Sequence, residues 1–156
     1  MPRLFLLIFV GVMAASPAPV PSLLPPFGWS ARTARPAMQG GTILGAWVSP
    51  SGDADILLAE ESQKGTLAEA RRTLLKAQML AGSVVVYDRA VRICDGKQGG
   101  WEVVAISNQG TGEDVLEATT FAMRDDILFA ALLSARHLEH LDSVLQTSLR
   151  SLCVPM

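Results

Sequence analysis

Charge is scarce in this chain and evenly scattered. Asp, Glu, Lys and Arg make up 18% of its 156 residues, and the net charge is −2. No stripe of Lys and Arg runs along it to neutralise a row of phosphates, which excludes ordinary electrostatic nucleic-acid binding. It also lacks any apolar run of about 20 residues, the length a membrane-spanning helix needs. Common catalytic signatures are missing as well. There is no GxSxG elbow, no HExxH helix, and no glycine loop that opens a helix with a Lys-Ser or Lys-Thr pair. The glycine clusters "GKQGG" and "GTG" therefore read as turns. Asp53 and Asp55 hint at calcium, but Thr66 stands where a loop counted from Asp55 needs its closing Glu, so both read as turn acids.

Cysteine is nearly absent, with Cys94 and Cys153 alone. In an oxidising compartment, a pair so far apart most simply forms one disulfide. Two buried free thiols or an intermolecular bridge are the alternatives. Closing a loop of about 60 residues contributes roughly 4 kcal/mol in the chain-entropy model, before strain. The spacing is not CxxC, which argues against a thiol redox enzyme.

What is present begins with an export signal. Met1-Pro2-Arg3 gives a positive start, "LFLLIFVGVMAA" is an uncharged run from Leu4 to Ala15, and "SPAPVP" follows. That arrangement predicts a signal peptide over residues 1–18, with cleavage after Ala14, Ala15 or Ala18. Residues 19–41 read as a Pro/Gly-rich leader in which Phe27 and Trp29 are the only large aromatic groups. Residues 42–156 are then a single domain of ordinary size, able to bury a core without metals.

Within that domain, "TILGAWVSPSGDADILLAEES" reads as a β-hairpin turned by Ser, Pro, Gly and Asp. "GTLAEARRTLLKAQMLAG" reads as a helix. Thr66 is its N-cap, Glu69 completes a capping box, and Gly82 ends it. Leu67, Ala70, Leu74, Ala77 and Ala81 share one face. Strand propensity runs from Val84 to Cys94, with a possible break at Asp88, and resumes in "GGWEVVAIS" after the Gly99-Gly100 turn. Alternation puts Trp101, Val103 and Ala105 on one side, which makes Trp101 a core residue. "VLEATTFAM" and "ILFAALLSA" are two further strands joined by "RDD". Leu138, Leu141, Leu145, Leu149 and Leu152 then repeat at helical spacing. His137 and His140 fall near the start of that last helix, where they are the candidate metal or acid–base pair. The fold class is α+β: an antiparallel sheet of about five to six strands packed with two amphipathic helices.

That order of elements resembles the PsbP-like superfamily, and especially its small secreted bacterial members. The resemblance rests on the hairpin around "GAWVSPSGDADILLAEES", the helix "TLAEARRTLLKAQML", the strand pair around "ICDGKQGGWEV", the pair "EATTFAMRDDILFAALLSA" and the closing "LDSVLQTSLRSLC". It covers residues 42–154. The two cysteines and the proline-rich leader depart from the pattern. The resemblance implies an α/β/α sandwich that serves as a binding or assembly module, and it carries over no catalytic residue or cofactor.

Three functional expectations follow. The first is an exported, periplasmic or extracellular, non-catalytic module that binds a protein or envelope component. The second is a small-ligand binder with a pocket between sheet and helix near Trp101 and Tyr87. The third is a small metal-dependent enzyme built on His137 and His140.

Overall fold

The computed structural model describes residues 20–33, 40–108, 110, 112–138 and 140–156. The expected signal peptide, residues 1–18, lies outside the described residues, as does the part of the leader at 34–39. The elements in chain order are β1 (Ser30–Ala31), β2 (Thr42–Val48), β3 (Ala54–Ser62), α1 (Leu67–Leu80), β4 (Val84–Ile93), β5 (Gln98–Asn108), β6 (Asp114–Arg124), β7 (Ile127–Arg136) and α2 (Ser143–Arg150). The strands form one sheet in the order β1-β2-β3-β7-β6-β5-β4, and every neighbouring pair is antiparallel. The seventh strand, one more than expected, is β1. It comes from the stretch read as an irregular leader.

Tight turns join most of the strands. Between β6 and β7 the loop is Asp125-Asp126, with φ of 51° and 59°. Two consecutive left-handed residues match the right-handed twist of a hairpin, and Asp tolerates that region better than most side chains. Between β3 and β4 the chain must instead pass three intervening strands to reach the far edge in parallel orientation. A crossover helix solves this, and α1 is that helix. Its capping box is formed as the sequence predicts: Glu69 N donates to Thr66 Oγ1 at 3.2 Å, and Thr66 N donates to the Glu69 carboxylate at 2.7 Å.

Strand alternation sorts the core onto the two faces of the sheet. Val103, Phe121 and Ala130 pack with Ala70 of α1. Val104, Leu116, Ala131 and Leu133 pack with Leu145 and Leu149 of α2. Residues 103 and 104 are adjacent in β5, so the helices cover opposite faces and the architecture is an α/β/α sandwich.

Four local expectations change. Strand β4 runs unbroken through Asp88, because a bulge between Val85 and Tyr87 absorbs the irregularity and Asp88 finds partners on the α1 face. The turn before β5 is Cys94 to Lys97, closed by Lys97 N donating to Cys94 O at 3.0 Å. Gly99 and Gly100 lie inside β5, not in the turn. Gly100 is required there by close approach: an added Cβ would sit 3.0 Å from Phe121 O and 3.1 Å from a methyl of Ile93. Finally, α2 is shorter than the leucine repeat suggests. Asp142 caps it, accepting from Leu145 N at 2.8 Å, and Leu138, His140 and Leu141 before it are not helical.

Residues 20–33 are partly built into the domain. Leu23 is buried in the α2-side core, and Ser22 forms an antiparallel bridge with Cys153. Trp29 packs against the same core, whereas Phe27 is fully exposed.

Candidate functional site

Two polar clusters fix the helices to the sheet. On the α1 face, Trp101 Nε1 donates to Asp88 Oδ1 at 2.6 Å and Arg71 Nε donates to the same oxygen at 2.7 Å. The Arg71 guanidinium also lies 5.0 Å from the centroid of the Trp101 ring, close enough for a cation–π contact. Trp101 is therefore half-buried at the edge of the core, with its polar tip satisfied, and does not sit at the centre expected of it. The hydrogen bond from Arg71 holds the Asp88 carboxyl below its usual range against the opposing effect of burial, with the Trp101 bond adding to it.

On the α2 face, Glu102 is completely buried. Two arginines reach it from different elements. Arg89, its partner across β4–β5, donates from Nη2 to Oε1 at 2.7 Å. Arg150, in the last turn of α2, donates from Nη2 to Oε1 at 3.0 Å and from Nε to Oε2 at 3.1 Å. Burial alone pushes the Glu102 carboxyl up, but the hydrogen bonds from Arg150 and Arg89 outweigh it and hold the group below its ordinary range. Alternation in "WEVVA" hid this cluster. A lone Glu in a strand reads as solvent-facing, and neither arginine lies near it in sequence.

Beside that cluster lies a cleft of about 570 Å³. Its walls are the leader at Leu24, Pro25 and Pro26, the outer face of α2 at Val144 and Thr147, and the β4–β5 turn at Gly96. Cys94 precedes the lining residues Asp95 and Gly96, and Cys153 lies two residues beyond the lining residue Ser151. The two cysteines form the intramolecular disulfide, with a Cα–Cα distance of 4.5 Å.

The opposite end of β4 presents a different surface. Met79 and Leu80 at the end of α1, and Val84 and Val86 in the first half of β4, are all exposed. Because β4 is the last strand of the sheet, its outer backbone edge has no strand beside it among the described residues. Tyr87 is 41% exposed and stacks under Arg89, whose guanidinium is 4.7 Å from the ring centroid. Tyr87 pairs with Val104 and Trp101 with Ala90, so the two rings lie on opposite faces of the sheet and cannot share a pocket. That corrects the expected ligand site between them.

The histidines are also displaced from where the sequence puts them. His137 and His140 precede α2 and are exposed, with His137 in a left-handed conformation at φ 60°. Among the described residues, no three His, Cys, Asp or Glu side chains gather to hold a metal ion. Replacing both histidines by asparagine, which tolerates the left-handed backbone at position 137, should change stability by less than about 1 kcal/mol, the scale of ordinary surface substitutions. Thermal melts with and without zinc test this. A zinc-dependent rise in the native protein, absent from the double variant, would restore the metal reading.

The chain matches no family model and no curated protein sequence. Its resemblance is to solved structures. Among them is the solution structure of cyanobacterial PsbP (CyanoP) from Synechocystis sp. PCC 6803, at a TM-score of 0.59 and 15% identity, covering 86% of each chain. The fold is PsbP-like, as the order of elements implied. At that identity the likeness establishes architecture alone.

Proposed function

We propose that this protein is an exported, non-catalytic α+β module that binds an extended apolar segment of a partner protein in the cell envelope or outside the cell. Residues 1–18 would be its signal peptide, residues 19–41 its leader and residues 42–156 its binding domain. The disulfide suits an oxidising compartment. No described helix is long and apolar enough to cross a membrane.

The observation that carries the reading is the open edge of β4, near which Met79, Leu80, Val84 and Val86 are all exposed. A long edge strand with apolar side chains offers main-chain hydrogen bonds to an added strand and shallow apolar contacts to alternate residues. Near Val84 and Val86 the charges on the strand are matched, Asp88 with Arg71 and Arg89 with Glu102, while Arg92 lies at the far end and donates to Gly96 O. A visiting strand that meets no free charge there should itself be apolar and uncharged at its centre.

Photo-crosslinking from position 84 tests the reading, with the captured protein identified by mass spectrometry. Substituting Val86→Lys should abolish that crosslink while leaving the melting temperature within a few degrees, since Val86 is exposed. Capture of the same protein by both forms, or of none by either, would count against the surface. A second reading, small-ligand binding, rests on the cleft bounded by Leu24, Val144 and Gly96, whose volume of about 570 Å³ lies within the usual range for such sites.

A further inference from the structure

We infer that the Cys94–Cys153 disulfide is a redox-sensitive latch, and that its reduction releases the N-terminal arm and dismantles the cleft beside α2. The inference is independent of the β4 surface. It rests on how the arm is held. Among the described residues, the hydrogen bonds that tie residues 20–25 to the rest of the chain all end on residues 148–153. Ser22 N donates to Cys153 O at 3.0 Å, and Cys153 N donates back to Ser22 O at 2.9 Å. Leu24 N donates to Ser151 Oγ at 2.8 Å, and Ser148 Oγ donates to Leu24 O at 2.6 Å.

The tail that carries these partners is tied in turn to the β4–β5 turn. The disulfide is the covalent tie, placed on a turn whose Cys94, Asp95 and Gly96 have φ of 52°, 53° and 76°. Non-glycine residues resist this left-handed region, so the turn has a standing tendency to relax once the tie is gone. What remains is Cys94 N donating to Arg150 O at 3.0 Å and the Gln98 amide paired with the Val154 backbone at 2.8 and 2.9 Å. The first of these depends on the same left-handed turn. Both cysteines are half-buried and neither belongs to the fully buried core.

The chemistry is thiol–disulfide exchange with a dithiol reductant. One thiolate of the dithiol attacks a sulfur of the bridge, breaks the S–S bond and forms a mixed disulfide. Its second thiol then closes on the first and leaves as the oxidised dithiol. Cys94 and Cys153 are left as thiols, having gained two electrons and two protons from the reductant. Leu24, Pro25 and Pro26 form one wall of the cleft and Gly96 stands on the other. Freeing the bridge uncouples those walls, so the cleft exists as a defined surface only in the oxidised protein.

Amide hydrogen exchange on the full described domain, with dithiothreitol as the reductant and a free-thiol count to confirm reduction, tests the inference. Reduction should speed exchange at Ser22, Leu24 and Cys153 by at least about tenfold more than it does in the central β5–β6 ladder, the pattern of local opening on top of any global loss. The Cys94→Ser variant should show the same pattern without reductant. If that variant does not fold, the reduced native protein alone decides. Unchanged protection of the arm after confirmed reduction would overturn the latch. So would parallel loss of protection through β5–β6, which would make the bridge a global stabiliser, or failure of dithiothreitol to reduce the folded protein.

Discussion

Replacing Glu102 by alanine should lower stability by about 3 kcal/mol, near the bottom of the range for breaking a buried ion pair. The carboxylate is fully buried and accepts from two guanidinium groups. Its removal leaves two cations facing each other beneath α2. The loss stays near the lower limit because the side chains of Arg89 and Arg150 retain 40% and 32% of their exposure and can turn toward water. Urea unfolding measures the difference. The same group sets an acid limit. Because its carboxyl is held below the unfolded range, its contribution is present above the unfolded value of about 4.3 and is lost as pH falls through the folded one. Asp88 acts in the same sense, held down by Arg71. Asp55 acts in the opposite sense, since burial raises its carboxyl despite Arg32. The melting temperature of the native protein should therefore drop steeply below about pH 4, and Glu102→Gln should flatten that slope. An equally steep slope in the variant would assign acid sensitivity elsewhere.

The elements were legible in the sequence wherever a pattern is local. The capping box of Thr66 and Glu69, the acidic turn at Asp125-Asp126 and the strand propensity of β6 and β7 each depend on neighbours within a few residues, and each is found where the sequence puts it. The disulfide was legible too, since two cysteines allow one intramolecular pairing. The length of α2 was not. Leu138 and Leu141 continue the leucine spacing and do pack against the core, but they do so from a non-helical approach that Asp142 terminates by capping. Apolar periodicity reports burial, and in this segment burial is achieved without helix. The two ion clusters were invisible for another reason. Arg71 and Asp88 meet only because α1 crosses the sheet, and Arg150 reaches Glu102 only because α2 lies on the opposite face. Long-range register, not local spacing, creates them. The apolar corner at β4 is a related case. Its valines read as strand core until the strand order puts them on an edge.

Phe121→Ala should be at least as damaging as the loss of Glu102, at about 3–5 kcal/mol, the usual range for deleting a buried aromatic ring. Phe121 is 2% exposed and is among the largest fully buried side chains. It lies across from Trp101 on β5 and Ala130 on β7, at the middle of the α1 face. The helix above it depends on that ring more than its length suggests. Among the residues of α1, Ala70 alone is fully buried, and Leu67, Leu74 and Leu75 are half-buried against the Phe121 cluster. A cavity under such a helix cannot be closed by Ala130 or Ala70, which have no reach. The empty volume therefore persists and adds to the lost burial. The Arg71–Asp88–Trp101 contacts should keep α1 attached but poorly packed. Hydrogen exchange in the variant should consequently rise through α1 more than through α2, whose Leu145 and Leu149 stand on the other face. A urea midpoint shifted by less than about 1 kcal/mol, or equal exchange in the two helices, would show that α1 is held by its polar contacts and not by the ring beneath it.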